Sequence, residues 1–311
     1  RRRQRQMCIR DWVMFRAFYV STTNTKILTA NSVVMVLTNV VLNYILIFGK
    51  FGFPALGIAG AAIASSISEA VSVMFFVIYT WKKVDYKKYG LFRFTRVDFR
   101  MLGQILSVSI WVMIQHGIAF GGWFIFFIAM EHLGERPLAI TNVVRSISSF
   151  LFMFVNAFAS TNSSLVSNLI GAGESDRVLP LCRRMIGLCY AFVLPIGILI
   201  AMFPSTVLRI YTDNPDLIAS SIPSLWVMLS SYLFAVPGFI YFFSVSGTGN
   251  TRRALEIDMA SIFVYVLYIL YVAVWLRADV AVCWTTEYVY NIMILSSFFY
   301  LWKGNWRNKK I

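Results

Sequence analysis

Long apolar runs, each closed by a short polar or basic phrase, organise this 311-residue chain. They occupy roughly 28–48, 57–80, 102–130, 138–168, 185–203, 218–246, 255–276 and 280–302. A helix rises 1.5 Å per residue, so about 20 apolar residues cross a bilayer. Hydrocarbon offers backbone N–H and C=O groups no partner, so each run is predicted to be a helix. A soluble chain of this length has no interior able to bury eight of them. The predicted class is an all-α polytopic membrane protein with eight complete transmembrane helices.

The chain also repeats itself. "STTNTKIL" at 21–28 returns as "SGTGNTRRAL" at 246–255, each time between an aromatic run and an apolar one. Further on, "GIAGAAIASSISEA" is loosely echoed by "WLRADVAVCWTTEY", which sets Glu69 opposite Glu287. The second copy is preceded by complete spans. The first is preceded only by an apolar stretch at about 12–20, too short to cross and broken by Arg16. "RRRQRQMCIRDW" before it lacks the apolar core and cleavage site of a signal peptide. Completing the first copy by symmetry predicts a parent of two six-helix halves, with residues 11–22 the stub of an interrupted helix. The predicted organisation is a truncated helix with its basic run at 1–22 and a remnant of the first bundle at 23–80. A basic inter-lobe loop at 81–101, a six-helix bundle at 102–302 and a basic tail at 303–311 complete it. Paired bundles of this kind rock about a central path in transporters, and the repeated phrase is the cytoplasmic elbow of each half.

Composition fits the same solvent: the chain is 59% hydrophobic and 14% charged, against about 25% charged in soluble domains. The net charge of +14 raises nucleic acid as a partner, but its placement removes that reading. Lys82, Lys83, Lys87, Lys88, Arg93, Arg96 and Arg100 crowd one loop; Arg177, Arg183 and Arg184, then Arg252 and Arg253, then Lys303, Arg307, Lys309 and Lys310 follow at alternate loops. The loops between carry single basic residues, Lys50, Arg136, Arg209 and Arg277. The positive-inside rule puts the rich loops and the C-terminus in the cytoplasm, and predicts a multi-pass protein of the plasma (inner) membrane. Cys8, Cys182, Cys189 and Cys283 show no metal spacing and are expected as packed free thiols.

"FRAFYVSTTNTKILTANS", "LNYILIFGKFGFPALGIAGAAIASSISEA" and "LVSNLIGAGESDRV" together resemble the multidrug and toxic compound extrusion (MATE) family of twelve-helix, Na⁺- or H⁺-driven efflux antiporters. The likeness covers about 14–302, the end of the family's fourth helix through its twelfth. It implies a coupling-ion site built from an acidic residue on helix one, an Asn on helix five and a small or hydroxyl residue on helix six. By motif these match Asn39 of "NVVLN", with Asn43 one turn on, and Ala61 and Ser65 of "GAAIAS". Na⁺ at Asn39 is the one metal the resemblance implies; no other cofactor is expected. A second family site, a carboxylate midway along helix seven, has Ala119 in its place.

Read without the resemblance, the polar residues form stripes. Asn31, Asn39 and Asn43 share one broad helical face, as inter-helix glue or as carbonyl ligands for a hard cation. Glu69 lies near mid-helix, where a carboxylate costs about 2.5–3.5 kcal/mol on the insertion scale. With Glu287 it forms a structural pair, and proton handling by Glu69 is the other reading. Asn142, Arg145, Ser149, Asn156, Ser160 and Ser163 make a polar face read as the wall of a water-filled cavity, with Glu131 the expected partner of Arg145. Gln115 and His116 add polarity near mid-span; the imidazole is a packing residue or a proton-linked one. Trp123 and Tyr241 are expected to stack on planar cations, and Pro195, Pro223 and Pro237 to kink their helices.

The function these features predict is secondary efflux of organic, cationic or amphipathic compounds in exchange for Na⁺ or H⁺, by a monomer whose partners are the lipid bilayer and the small-molecule substrate. The alternatives are a related lipid-linked oligosaccharide flippase, against which a single deep cation, Arg145, counts, and a non-functional fragment. An enzyme is not expected, since HExxH, GxSxG and nucleotide-loop motifs do not occur.

Overall fold

The computed structural model describes residues 14–20, 25–52, 54–84, 98–304 and 306. They are helical almost throughout, and the chain divides into two compact units, Arg1–Val97 and Asp98–Ile311.

In the first unit, α1 (Thr25–Phe48) and α2 (Gly57–Lys83) form a hairpin, with a helical stretch at 14–20 before them. The turn is tight: Leu56 N–H donates to Leu46 O at 2.9 Å. Tyr19 from the preceding stretch stacks on Phe76 of α2, with ring centroids 5.5 Å apart.

The second unit begins at α3 (Phe99–Leu133), whose first turn is capped by Asp98 accepting from Arg100 and Met101 N–H. α4 (Glu135–Gly171), a 3₁₀ turn at Ser175–Arg177, α5 (Val178–Met202) and the short α6 (Pro204–Leu208) follow. α7 (Pro215–Gly247) starts on an Asn214 cap with Pro215 in its first turn. α8 (Thr251–Ile269) runs on into a π-helical end at Leu270–Trp275. α9 (Val280–Trp284), α10 (Thr286–Leu295) and α11 (Ser297–Lys303) close the chain.

Seven of these helices are continuous and apolar enough to cross a membrane. The expected eighth span, 280–302, is divided among α9, α10 and α11. Backbone bonds tighten at the joints: Thr285 N–H reaches Val282 O, and Ser296 N–H reaches Met293 O, both at 3.1 Å. Thr285 and Thr286 hydroxyls also bond carbonyls three residues back, a competition with the helical ladder that apolarity alone does not reveal.

α7 lies at the centre of the second unit. Over half of its apolar window is buried, 56%, as expected of a helix apolar on every side. It packs on α4, α5, α8 and α10. Pro237 within α7 has no N–H for the carbonyl of Leu233, and Tyr190 from α5 donates its hydroxyl there instead. At the foot of α7, Gly249 takes a left-handed φ of 77° and turns the chain into α8, as the repeated phrase led one to expect. Asn250 ties that elbow to the last span through Tyr300, at 2.8 Å. The first elbow, 21–24, lies outside the described residues. Cys182, Cys189 and Cys283 are buried free thiols; Cys8 also falls outside the described residues.

Candidate ion and substrate sites

The asparagine stripe of α1 faces α2 and is bonded across it. Asn31 Nδ2 donates to Ser72 Oγ at 2.7 Å, and Asn39 Nδ2 to Ser68 Oγ at 3.2 Å and Ser65 Oγ at 3.4 Å. Asn43 Nδ2 donates to Asn39 Oδ1 at 2.8 Å. Tyr19 and Thr80 continue the seam, their hydroxyls 2.6 Å apart. The spacing of the asparagines and of the α2 hydroxyls, both set by helical repeat, produces this ladder.

Asn39 spends its carbonyl on Asn43, while the buried carbonyl oxygens of Asn31 and Asn43 have no hydrogen-bond partner. A neutral amide oxygen suits a hard cation; Ser65 and Ser68 hold the Asn39 amide on which Asn43 rests. Glu69 is half-buried in α2.

In the second unit, α4 is amphipathic with its polar face outward. Asn142, Arg145, Ser149, Asn156 and Ser160 are exposed, while Val144, Leu151, Val155, Ala159 and Asn162 are buried. The inward face carries one polar node that the sequence reading missed. Asn162 Nδ2 donates to Ser244 Oγ at 2.7 Å, with Cys182 Sγ and Ile240 O also in range. Arg145 does not pair with Glu131. Its guanidinium lies 4.8 Å from the ring centre of Phe127, and the ion pairs among the described residues are elsewhere, Glu174–Arg177 and Glu256 with Arg252 and Arg253. Trp123 stacks on the same Phe127, 6.2 Å between centroids, and stays partly open at 37%. Tyr241 is instead a core residue, 8% exposed and against Phe298 at 5.1 Å.

Gln115 and His116 part company. His116 is exposed, whereas Gln115 turns inward to the carboxylate of Asp258 on α8. Asp258 is 2% exposed and accepts from Tyr290 Oη at 3.1 Å. The sequence reading passed over Asp258 because it stands near Arg252, Arg253 and Glu256, where a loop-end charge is ordinary. One signal was available: Ala254, Asp258, Ser261, Tyr265 and Ile269 repeat at helical spacing on the buried face of α8. Glu287 is half-buried and faces Tyr232, Tyr265 and Tyr290. Among the described residues, no group of three or more His, Cys, Asp or Glu converges as a metal cluster.

The MatE family model matches residues 112–274 of this chain. The chain is 28% identical to the "Probable multidrug resistance protein NorM" of Thermotoga maritima over 76% of its own length and 50% of the relative's. It is 26% identical to the protein of the same name from Photorhabdus laumondii over 69% of its length and 47% of that protein's. It thus spans about half the length of the relatives it matches. Among solved structures, the "outward-facing conformation of a multidrug resistance MATE family transporter of the MOP superfamily" superposes with a TM-score of 0.77 at 16% identity. That alignment covers 88% of this chain and 61% of the other. The MatE match covers more than half of the chain, and the fold is an all-helical, multi-pass membrane one; the chain belongs to the MatE family, whose members are transporters rather than enzymes.

Proposed function

We propose that this chain is part of a secondary active antiporter that exports organic cations or amphipathic compounds in exchange for Na⁺ or H⁺. The protein works as a monomer in the plasma membrane with its C-terminus in the cytoplasm. The observation that carries the reading is the outward polar face of α4. A spanning helix that buries its apolar side and exposes Asn142, Arg145 and Asn156 is suited to line a water-filled path rather than to meet lipid. Trp123 and Phe127 beside Arg145 add flat aromatic surface for a planar substrate. The α1–α2 seam supports the ion-coupling half of the reading, with Asn43 Oδ1 as the free ligand and Asn39, Ser65 and Ser68 holding it in place. Among the described residues of that unit, Glu69 is the one carboxylate, and it is the candidate for proton coupling there.

The test is reconstitution of the full-length transporter that contains this chain in liposomes with an imposed Na⁺ or H⁺ gradient, following a fluorescent cationic dye. Uphill, gradient-dependent movement that weakens in Asn39→Ala and in Asn43→Ala supports the reading. Dye movement that is equal with and without either gradient overturns it.

A further inference from the structure

The interior where α8 meets α3 and α10 holds a charge without a counter-charge. Asp258 is buried there between Tyr290 and Gln115. Among the described residues no ion pair is made by Asp258: Arg252 and Arg253, on the same helix, pair with Glu256 on its exposed face. Tyr290 of α10 faces Asp258 directly; Glu287 of α10 and Tyr265 of α8 face Tyr290, and Tyr232 of α7 faces Glu287. His116, beside Gln115 on α3, is exposed.

A second observation points the same way. The Tyr265 hydroxyl is buried without a hydrogen-bond partner, on a residue 4% exposed, and it faces Glu287 and Tyr290. Trp284 beside it is fully buried, with its indole N–H also unpaired. Phe126, 5.5 Å from Trp284 and 6.3 Å from Tyr265, fills the remaining space.

An isolated carboxylate at this depth is costly as an anion. Protonation removes the charge and forms one O–H bond on a carboxylate oxygen, with nothing released. Gln115 serves both states: its N–H₂ donates to the carboxylate, and its carbonyl oxygen accepts from the acid. Tyr290 donates to Oδ1 in either state. Asp258 lies seven residues into α8, about 10 Å along the axis from the basic end.

We propose that Asp258, held by Gln115 and Tyr290, binds a proton inside the C-terminal unit, at a site other than the asparagine seam of the N-terminal unit. The proposal deepens the antiport reading by giving the C-terminal unit its own proton, and its chemistry stands apart from transport.

The experiment is infrared difference spectroscopy of the purified chain in lipid, between neutral and acidic buffer. The wild type is expected to show a carboxylic-acid C=O band at the frequency of an acid shielded from water. Asp258→Asn should lose that band, while Glu69→Gln should keep it. Tyr290→Phe and Gln115→Leu should each shift it, because each removes one hydrogen bond from the acid. A wild type without the band, or a band that survives Asp258→Asn, overturns the proposal. Should Asp258→Asn fail to fold, a band unmoved in both Tyr290→Phe and Gln115→Leu overturns it equally. Absence of gradient-driven dye movement alongside the expected band pattern counts against antiport and supports the proton site.

Discussion

Tyr190 donates its hydroxyl to the carbonyl of Leu233, the group that Pro237, four residues later, leaves without a donor. A proline in a spanning helix frees a carbonyl in a medium with no water to donate to it. Here a neighbouring helix supplies the donor. Tyr190→Phe should therefore destabilise the chain by about 0.5–1.5 kcal/mol, the net worth of one intramolecular hydrogen bond. In a Pro237→Ala background the restored N–H takes over the carbonyl, and the same substitution should become nearly neutral. Unfolding of the four proteins in detergent measures the coupling. Equal losses in both backgrounds would show that Tyr190 acts through packing alone.

The α4–α7 crossing gives a second expectation. A Cβ on Gly247 would stand 2.6 Å from the backbone oxygen of Ser163, and Ser167 Oγ bonds Gly247 O at 2.7 Å across the same contact. Gly247→Ala should cost about 1–3 kcal/mol through overpacking. Gly187 on α5 has nothing within 4 Å of the same position, so Gly187→Ala should stabilise by roughly 0.5–1 kcal/mol through helix propensity. A thermal-shift comparison separates the two; similar melting temperatures would refute the close approach.

The ladder between α1 and α2 predicts unequal losses. Asn39→Ala removes bonds to Ser65, Ser68 and Asn43, whereas Asn31→Ala removes the bond to Ser72. With inter-helix bonds worth about 0.6–2 kcal/mol, both should loosen the hairpin, Asn39→Ala more. Amide hydrogen exchange over 25–83 reads this directly. Faster exchange in Asn31→Ala than in Asn39→Ala would reverse the ranking and with it the ladder.

Orientation is open to chemical labelling. Arg253→Cys should react with a membrane-impermeant maleimide only from the cytoplasmic side, and Gly134→Cys and Asn214→Cys only from outside. The native cysteines of the described residues are buried, which keeps the background low. Labelling of Arg253→Cys in intact cells would invert the topology.

The spans were legible because bilayer crossing is a property of composition over a window, and the elbow at Gly249 because the chain wrote it twice. The asparagine seam was legible in part: eight- and four-residue spacings predict a shared face, and the matching hydroxyls of α2 lie in one short phrase. Partners were not. Arg145 met Phe127 rather than Glu131, because that choice depends on how α3 and α4 are turned about their axes, which no local pattern records. Asp258 and Asn162 escaped notice for a related reason. Each stands on a mostly apolar buried face, and only the arrival of Tyr290, Gln115 or Ser244 from distant sequence gives it meaning.

The tightened joints at Thr285 and Ser296 set the angular position of everything between them. A residue wound in the 3₁₀ manner turns the chain 120° instead of 100°. Converting one such residue to α geometry rotates the segment beyond it by about 20°, and at a side-chain radius of about 5–6 Å that is a sideways travel of about 2 Å. Tyr290 and Glu287 both ride on the segment between the joints. The 3.1 Å bond from Tyr290 to Asp258 would not survive such a turn. The hydroxyl of Thr285, bonded to a carbonyl three residues back, thus bears, through the pitch of one helix, on whether Tyr290 keeps its link from α10 to α8.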